Sequence, residues 1–529
     1  MHKFKYTLHA LIGGILLSLS WYFDLTALIF VAFTPLLFIE DYFSNSNDLP
    51  KRKLKFYLLT YICFLIWNLG VTWWVYCVQF GKEGALAAFL ANSLLMMMVF
   101  SLFSAIKKRI NKSWGIWLLV PIWIAWEYCH MNWDLTWPWL TLGNVFAYKT
   151  NWVQWYEYSG FSGGSLWILS VNILVFRILK AKSFQIKSFA KPIIAIAVPI
   201  LLSYIILFSY RNNSQLSKQN ILIVQPNIDP YNEKFDAGFD TQFNEALSQI
   251  RGKINGNTDL LVLPETFVPI NINEDDLSES EEIKLFYDSL INKYPDLSII
   301  TGINSYKFYT NPSEVTPTAR YHDGYNLHYD VFNTALFISK EKTELYHKSK
   351  LVPGVELMPF PWLMKPFESL ALDLGGTTGS LGVQKNRSVF KTSNNTVYAP
   401  VICYESVYGE FCREYIKNGA NFITIITNDG WWDNTPGHKQ HLNYARLRAI
   451  ETRRSILRSA NTGISAVINE KGEITDRTTW WNKALIEIDI QGNNEKTLYV
   501  VTGDLIAKIA LAISLISLII NWYLRFFKR

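Results

Sequence analysis

The sequence predicts a polytopic α-helical membrane domain, with about eight crossings, joined to a water-soluble α/β domain. Three observations predict it. Of 529 residues, 50% are hydrophobic and only 18% charged, where soluble domains average roughly 25% charged. The apolar residues concentrate in about eight long runs. Before the last run lies a polar segment, residues 211–500, in which short β-type runs alternate with helical ones. At this length two domains are the default expectation.

The apolar runs lie near residues 7–23, 25–39, 56–78, 85–106, 114–130, 163–179, 192–209 and 504–524. Most approach the roughly 20 residues that a helix needs to cross a hydrocarbon core; the second is short. Lys3 and Lys5 precede the first run, as in a signal peptide. No small-residue cleavage site follows and another apolar run begins at once, so it reads as a retained helix.

Basic residues set the orientation. Lys51, Arg52, Lys53 and Lys55 follow the second run, and Lys107, Lys108, Arg109 and Lys112 the fourth. Arg177, Lys180, Lys182, Lys187 and Lys191 follow the sixth, and Arg525, Lys528 and Arg529 end the chain. The intervening loops carry little beyond Lys82 and Lys149. Lys and Arg mark cytoplasmic loops, so both termini are expected in the cytoplasm and residues 211–500 outside. The expected division is a membrane domain over 1–210, an extracytoplasmic domain over 211–500, and a last helix with a cytoplasmic tail over 501–529.

The net charge of +6 belongs to these membrane-flanking loops. No basic strip interleaved with aromatics crosses the polar segment, so nucleic-acid binding is not expected. Five cysteines are too few for a disulfide framework. No CxxC pair or Cys/His cluster has metal-site spacing, so no metal is expected.

Within 211–500, residues 220–225 (NILIVQ), 259–263 (DLLVL), 297–302 (LSIITG), 331–339 (VFNTALFIS), 397–403 (VYAPVIC) and 422–427 (FITIIT) read as strands. Helical spacing appears over 241–254 and 440–454. Such a mixture indicates an α/β or layered α+β domain.

Three segments each place a reactive side chain at the end of an apolar run. Glu265 ends LLVLPE, where partial desolvation raises a carboxyl pKa toward that of a general base; a surface carboxylate is the plainer alternative. Lys348 and Glu356 flank a Pro353-Gly354 turn, which brings a cation near a carboxylate or forms an ordinary surface loop. Cys403 ends VIC ahead of a helix expected from Glu405 to about Lys417. There the helix dipole and a lysine favour the thiolate; a small buried Cys is the alternative, and the better account of Cys412.

Glu265, Lys348 and Cys403, in that order over about 140 residues, resemble the nitrilase superfamily. Five further segments resemble its membrane-embedded branch, the apolipoprotein N-acyltransferase family. They are Trp137–Gly143 (WPWLTLG), Val224–Ile228 (VQPNI), Thr427–Trp432 (TNDGWW), Gln440–Leu442 (QHL) and Arg458–Gly463 (RSANTG). The resemblance runs over essentially the whole chain.

It implies an αββα sandwich held in a bacterial inner membrane with its catalytic domain in the periplasm. Cys403 is implied as nucleophile, Glu265 as base and Lys348 as charge stabiliser. Glu356, Tyr404, Glu405, Phe235 and Trp431 are implied as supporting or substrate-contacting residues. The implied donor is a phospholipid, phosphatidylethanolamine first among them. The implied acceptor is a diacylglyceryl apolipoprotein, and no cofactor is implied. Two departures are visible: Gly354-Val355-Glu356 stands where the family has Phe-Gly-Glu, and Phe235 where it favours Trp.

The 20 Trp residues, among them Trp133, Trp152, Trp155 and Trp432, suit an interfacial aromatic belt. His438 and His441 are expected to be structural. Arg446, Arg448, Arg453, Arg454 and Arg458 are expected along a mostly solvated or salt-bridged helix. Two rivals remain: a membrane-bound amidase using the same three residues, and a transporter or scaffold with an inert outer domain. The second lacks an ion path, since Glu127 is the main ionisable group in the apolar runs.

Overall fold

The computed structural model describes residues 2–22, 25–46, 51–78, 82–110, 112–182, 184–234, 238–360 and 380–527. The chain divides into two compact units. One comprises Met1–Tyr76, Lys82–Tyr210 and Thr502–Arg529, and the other Cys77–Gly81 and Arg211–Val501.

In the first unit every apolar run falls on helix. Among the described residues, Leu25–Asn45, Arg52–Cys77, Lys82–Ile110, Tyr156–Ala181, Ile186–Ser209 and Leu505–Phe526 are long and apolar enough to cross a membrane. The first run gives a shorter apolar stretch, Lys5–Leu19. The fifth splits into a 3₁₀ turn, Ser113–Leu118, and a 12-residue helix, Leu119–His130. Apolar side chains on the long helices face outward: Ile193, Leu201, Ile205 and Phe208 are 59–70% exposed. Such a surface suits hydrocarbon, not water.

Two buried polar side chains inside this unit, Asn172 and Glu127, take up main-chain groups that lipid would leave unsatisfied. Pro35 interrupts the helical hydrogen bonding near Phe33. There the Asn172 side chain accepts the main-chain N–H groups of Phe33 (2.8 Å) and Thr34 (3.2 Å) and donates to Ile29 O. Glu127 accepts the Leu142 N–H at 2.8 Å, the Ser165 hydroxyl at 2.6 Å and the Trp123 indole at 3.2 Å. The main ionisable candidate for an ion path is thereby an anchor for the Trp137–Gly143 segment.

The second unit is built on two sheets. The first contains β1 (Lys218–Gln225), β2 (Leu260–Val262), β3 (Val268–Asn273), β4 (Ser298–Tyr309), β5 (Arg320–His322), β6 (Leu327–Ile338) and β7 (Thr343–His347). The second contains β8 (Phe390–Lys391), β9 (Val397–Ile402), β10 (Phe422–Thr427), β11 (Ile456–Ala460), β12 (Ala466–Ile468) and β13 (Ile474–Arg477). β14 (Ala484–Gln491) returns to the first sheet beside β1, giving the order β14-β1-β2-β4-β6-β5. The second runs β13-β12-β11-β10-β9-β8. All six strands read from the sequence are present.

Alternation explains the layers, because successive side chains on a strand face opposite sides. Ile221 and Ile223 join Leu260, Val262, Tyr398, Phe422 and Ile426 in the core between the sheets. Leu222 and Val224 face the other way, against Phe239, Phe243 and Ile250 of the helix Phe239–Ile250. On the outer face of the second sheet pack the helices Gly409–Lys417 and Pro436–Thr452, through Cys412, Ile416, Leu442 and Ala449. Both faces of both sheets are therefore covered, the layering of an αββα sandwich.

β1, β2 and β4 are mutually parallel, as are β9, β10 and β11. β7 is antiparallel to β6, itself antiparallel to β4, so β7 runs with β2. The C-terminal ends of β2 and β7 therefore share one edge of the first sheet. The Arg series departs from expectation: Arg448, Arg454 and Arg458 are completely buried. Arg448 pairs with Glu451, Arg454 donates to main-chain carbonyls including Ala420 O (2.7 Å), and Arg458 lies on β11. A guanidinium has enough donors to be satisfied indoors by carbonyls and carboxylates, which composition alone does not reveal.

Candidate active site

Glu265 lies just past β2, Lys348 just past β7 and Cys403 just past β9. Past β2 the chain stays alongside β4: Leu263 N–H donates to Ile300 O (2.8 Å) and Gly302 N–H to Pro264 O (3.0 Å). Gly302 is required there. A Cβ at that position would lie 2.3 Å from the Thr266 nitrogen and 2.6 Å from Glu265 Cα.

The Lys348 ammonium donates to Glu265 Oε1 at 3.1 Å and to Glu356 Oε1 at 2.7 Å. Asn333, from β6, donates to the same two oxygens at 2.8 and 3.3 Å. Glu265 Oε2 accepts the Asn428 main-chain N–H at 3.1 Å, and Glu356 Oε2 that of Val352 at 2.9 Å. Glu356 is thus the second carboxylate of the cluster, held by the turn it closes. Lys348 is 1% exposed and Glu265 5%.

Electrostatics correct two expectations. Burial alone would push the Glu265 carboxyl up, but Lys348, the Asn333 hydrogen bond and Lys234 outweigh it. The group is held below the ordinary Glu range, not raised, so Glu265 is ionised and able to accept a proton. Burial lowers the Lys348 ammonium, yet Glu265 and Glu356 raise it well above the ordinary Lys value. Burial and then the Glu265 charge push the Cys403 thiol up, against a smaller pull from Lys348. Cys403 therefore rests as a thiol, not a thiolate.

The expected helix start also differs. Cys403 opens a 3₁₀ turn, Cys403–Val407, and the α-helix begins only at Gly409. Cys403 has φ +50°, a region that non-glycine residues occupy rarely and often at functional sites. Its carbonyl accepts the Ser406 hydroxyl (2.8 Å) and faces His441 Nε2 (3.1 Å), while His441 Nδ1 lies 3.0 Å from Asp429. Arg458 pairs with the other Asp429 oxygen. His441 thus lies in a buried Arg458–Asp429–His441 chain behind the Cys403 turn. His438 stacks on Trp480 at 4.0 Å.

Glu405 is completely buried and bonds the Lys348 loop and the Cys403 strand together. Its Oε1 accepts the Ser349 N–H (2.7 Å) and the Tyr346 hydroxyl (2.8 Å); its Oε2 accepts the Ile402 N–H (2.8 Å). Burial pushes its carboxyl up to about 6 against the pull of these donors. Tyr404 is buried and packs edge-on against Tyr408. Trp431 packs edge-on against Tyr231 and accepts its hydroxyl at the main-chain carbonyl (3.0 Å). Phe235 lies outside the described residues. Cys403 and Cys412 are both free thiols.

Three residues of the site escaped the sequence reading: Lys234, Asn333 and Asn428. Asn333 carried a signal, an amide inside the apolar strand run VFNTALFIS, since a buried amide needs partners. Asn428 lay inside a noted motif but contributes only its main chain to Glu265. Lys234 stood beside the noted Phe235 but was given no role of its own; it sits in a polar turn and is nonetheless 2% exposed.

The family model described as carbon-nitrogen hydrolase matches residues 222–497, and that described as apolipoprotein N-acyltransferase N-terminal domain matches 13–174. An apolipoprotein N-acyltransferase of Chlorobaculum tepidum is 28% identical over 523 residues, covering 95% of this chain and 94% of that protein. Those of Geobacter metallireducens and Haemophilus influenzae are each 24% identical, covering 94% and 100% of this chain and 92% and 97% of theirs. Among solved structures, Saccharomyces cerevisiae Nit3, of the nitrilase superfamily, matches at TM-score 0.37 and 14% identity, covering 53% of this chain and 92% of that one. With the carbon-nitrogen hydrolase match spanning more than half of its length, the chain belongs to the carbon-nitrogen hydrolase family, in the branch named for apolipoprotein N-acyltransferase.

Proposed function

We propose that the protein transfers an acyl chain from a membrane phospholipid, phosphatidylethanolamine in the first instance, to the α-amine of an N-terminal diacylglyceryl-cysteine. One observation carries the reading: in a chain with several membrane-length helices, the Glu265–Lys348–Glu356 cluster and the Cys403 turn share one buried hydrogen-bonded frame. Eight crossings, with both termini cytoplasmic and residues 211–500 in the periplasm, complete the proposal.

The reaction is ping-pong. Glu265 takes the Cys403 proton as sulfur attacks the ester carbonyl; because the resting thiol is held protonated, transfer accompanies attack. Lys348 and neighbouring N–H donors stabilise the oxygen anion of the tetrahedral intermediate. That intermediate collapses, the C–O bond breaks, the Glu265 proton goes to the leaving alkoxide, and lysophospholipid departs. The acceptor amine then attacks the thioester, Glu265 removes its proton, and the thiol is restored as the amide forms. A hydrolase would use the same groups with water as acceptor.

The test is the intact mass of the purified protein after incubation with a phospholipid of defined chains. An acyl adduct on Cys403, discharged by a diacylglyceryl peptide faster than by water, is the expected result. Discharge by water alone favours the amidase reading. Cys403→Ser is expected to lose nearly all turnover, because a hydroxyl is far harder to deprotonate than a thiol; activity within about tenfold of the parent defeats the nucleophile assignment.

A further inference from the structure

Lys234 is a buried ammonium that neither the pairing of Lys348 nor the packing of the fold accounts for. Its N–H closes a turn on Asp229 O (2.9 Å), and its carbonyl accepts the Gln242 amide (2.8 Å) from the helix Phe239–Ile250. The backbone of the residue is therefore fixed. Its side chain reaches the end of β2, where Nζ donates to the Glu265 main-chain oxygen at 3.2 Å and to the Thr266 hydroxyl. Thr266 has φ +46°, a conformation that persists in a non-glycine residue only when its surroundings impose it.

Charge makes the same point independently. Glu265 and Glu356 are two carboxylates sharing the Lys348 ammonium. With that cation alone the buried cluster would carry net negative charge, which favours protonating a carboxylate and opposes an oxyanion. The Lys234 charge brings the sum to zero and acts directly on Glu265. Taking an ammonium out of water is costly, and an apolar side chain of the same length would fill the space without that cost.

We propose that Lys234 is a positioning residue for acyl transfer: it clamps the main chain at Glu265 and Thr266 and supplies the second positive charge that keeps the Glu265 carboxylate ionised. The proposal rests on the reading of Glu265 as the base. Burial lowers the Lys234 ammonium to about 8, while the two ionisable groups acting on it, Glu265 and Cys403, raise it. The charge is accordingly present at neutral pH and lost as pH rises through that value.

The experiment compares the full-length parent, Lys234→Met, Lys234→Arg and Cys403→Ala. The donor is phosphatidylethanolamine in mixed micelles and the acceptor a synthetic diacylglyceryl peptide, assayed from about pH 4 to pH 9. Lys234→Met is expected to lower kcat by about 10²-fold with KM changed less than about twofold. Its acid limb should move to higher pH, because Glu265 has lost a cation, and the alkaline decline of the parent should vanish. Lys234→Arg should hold the acid limb where the parent has it. An acid limb that stays put in Lys234→Met overturns the proposal. Should that variant lose its unfolding transition, the arginine variant decides: an acid limb unmoved supports the proposal, and one displaced upward in the folded protein overturns it. Transfer by Cys403→Ala would instead sink the acyl-enzyme reading, whatever Lys234 does.

Discussion

Glu405 accepts the Ser349 main-chain N–H at 2.7 Å, and that contact joins the turn carrying Cys403 to the loop carrying Lys348. β7 and β9 belong to different sheets, so this carboxylate also staples the two layers at the site. Its other oxygen holds the Ile402 N–H at the end of β9. Cys403 and Lys348 keep their register through this one buried carboxylate.

Glu405→Gln keeps the shape but must turn an NH₂ toward a donor. Leaving a buried donor unsatisfied costs about 1–3 kcal/mol. Thermal unfolding should show a loss of that order, with acyl-adduct formation slowed. Parental stability would mean that the staple is not the carboxylate.

Gly302→Ala should remove most activity without touching a reactive group. Its Cβ would meet the Thr266 nitrogen at 2.3 Å, so either β4 or the Glu265 segment must shift. Overpacking of this kind costs about 1–3 kcal/mol. The check is adduct yield beside unfolding temperature, and an active alanine variant refutes the close approach.

Lys348→Met strands the buried Glu265 carboxylate and the half-buried one of Glu356. Removing one partner of a buried ion pair typically costs about 3–5 kcal/mol, and loss of an oxyanion stabiliser costs about 10²–10³ in rate. Adding Glu356→Gln should restore part of the stability but not the rate. A double-mutant cycle measures both.

Low pH provides a further test. The Glu265 and Asp429 carboxyls are both held below their ordinary values. A depressed carboxyl stabilises the fold above its unfolded pKa, and that stabilisation is lost as pH falls through the folded one. Thioester formation should therefore stay flat down to about 4.5, the ordinary Glu value, and fall only below it, together with stability. A midpoint near 6 in the parent would report the Glu405 carboxyl, which burial pushes up to about 6; one that persists in Glu405→Gln would show that Glu265 is not held down.

The side of the membrane can be read by labelling. In an active variant retaining Cys403 as its only native cysteine, a cysteine at Asn213 should react with a membrane-impermeant thiol reagent in intact spheroplasts. One at Lys108 should react only after lysis. Both positions are exposed. The reverse pattern would place the site in the cytoplasm and remove the proposed acceptor from reach.

The amino-acid sequence by itself determined the helices and the six main strands, and it brought Glu265, Lys348, Cys403 and Glu356 forward as candidates. Each rests on a local pattern: an apolar run of membrane length, an apolar strand with a reactive residue at its end, or a Pro-Gly turn returning a carboxylate. Membrane length was less legible for the fifth run, which folds as a 3₁₀ turn and a 12-residue helix. Hydropathy averages over a window and does not see where the backbone changes its hydrogen bonding.

Only the tertiary structure decided the charge states. Burial of Glu265 was legible and argued for a raised pKa; the opposing charges of Lys348 and Lys234 arrive from β7 and from a distant turn, and they win. Whether Cys403 rests as thiol or thiolate depends on the same sum. Lys234, Asn333 and the Arg458–Asp429–His441 chain were settled in the same way. Sequence spacing records what is near along the chain, while the electrostatics of a buried site depend on which strand ends meet across it.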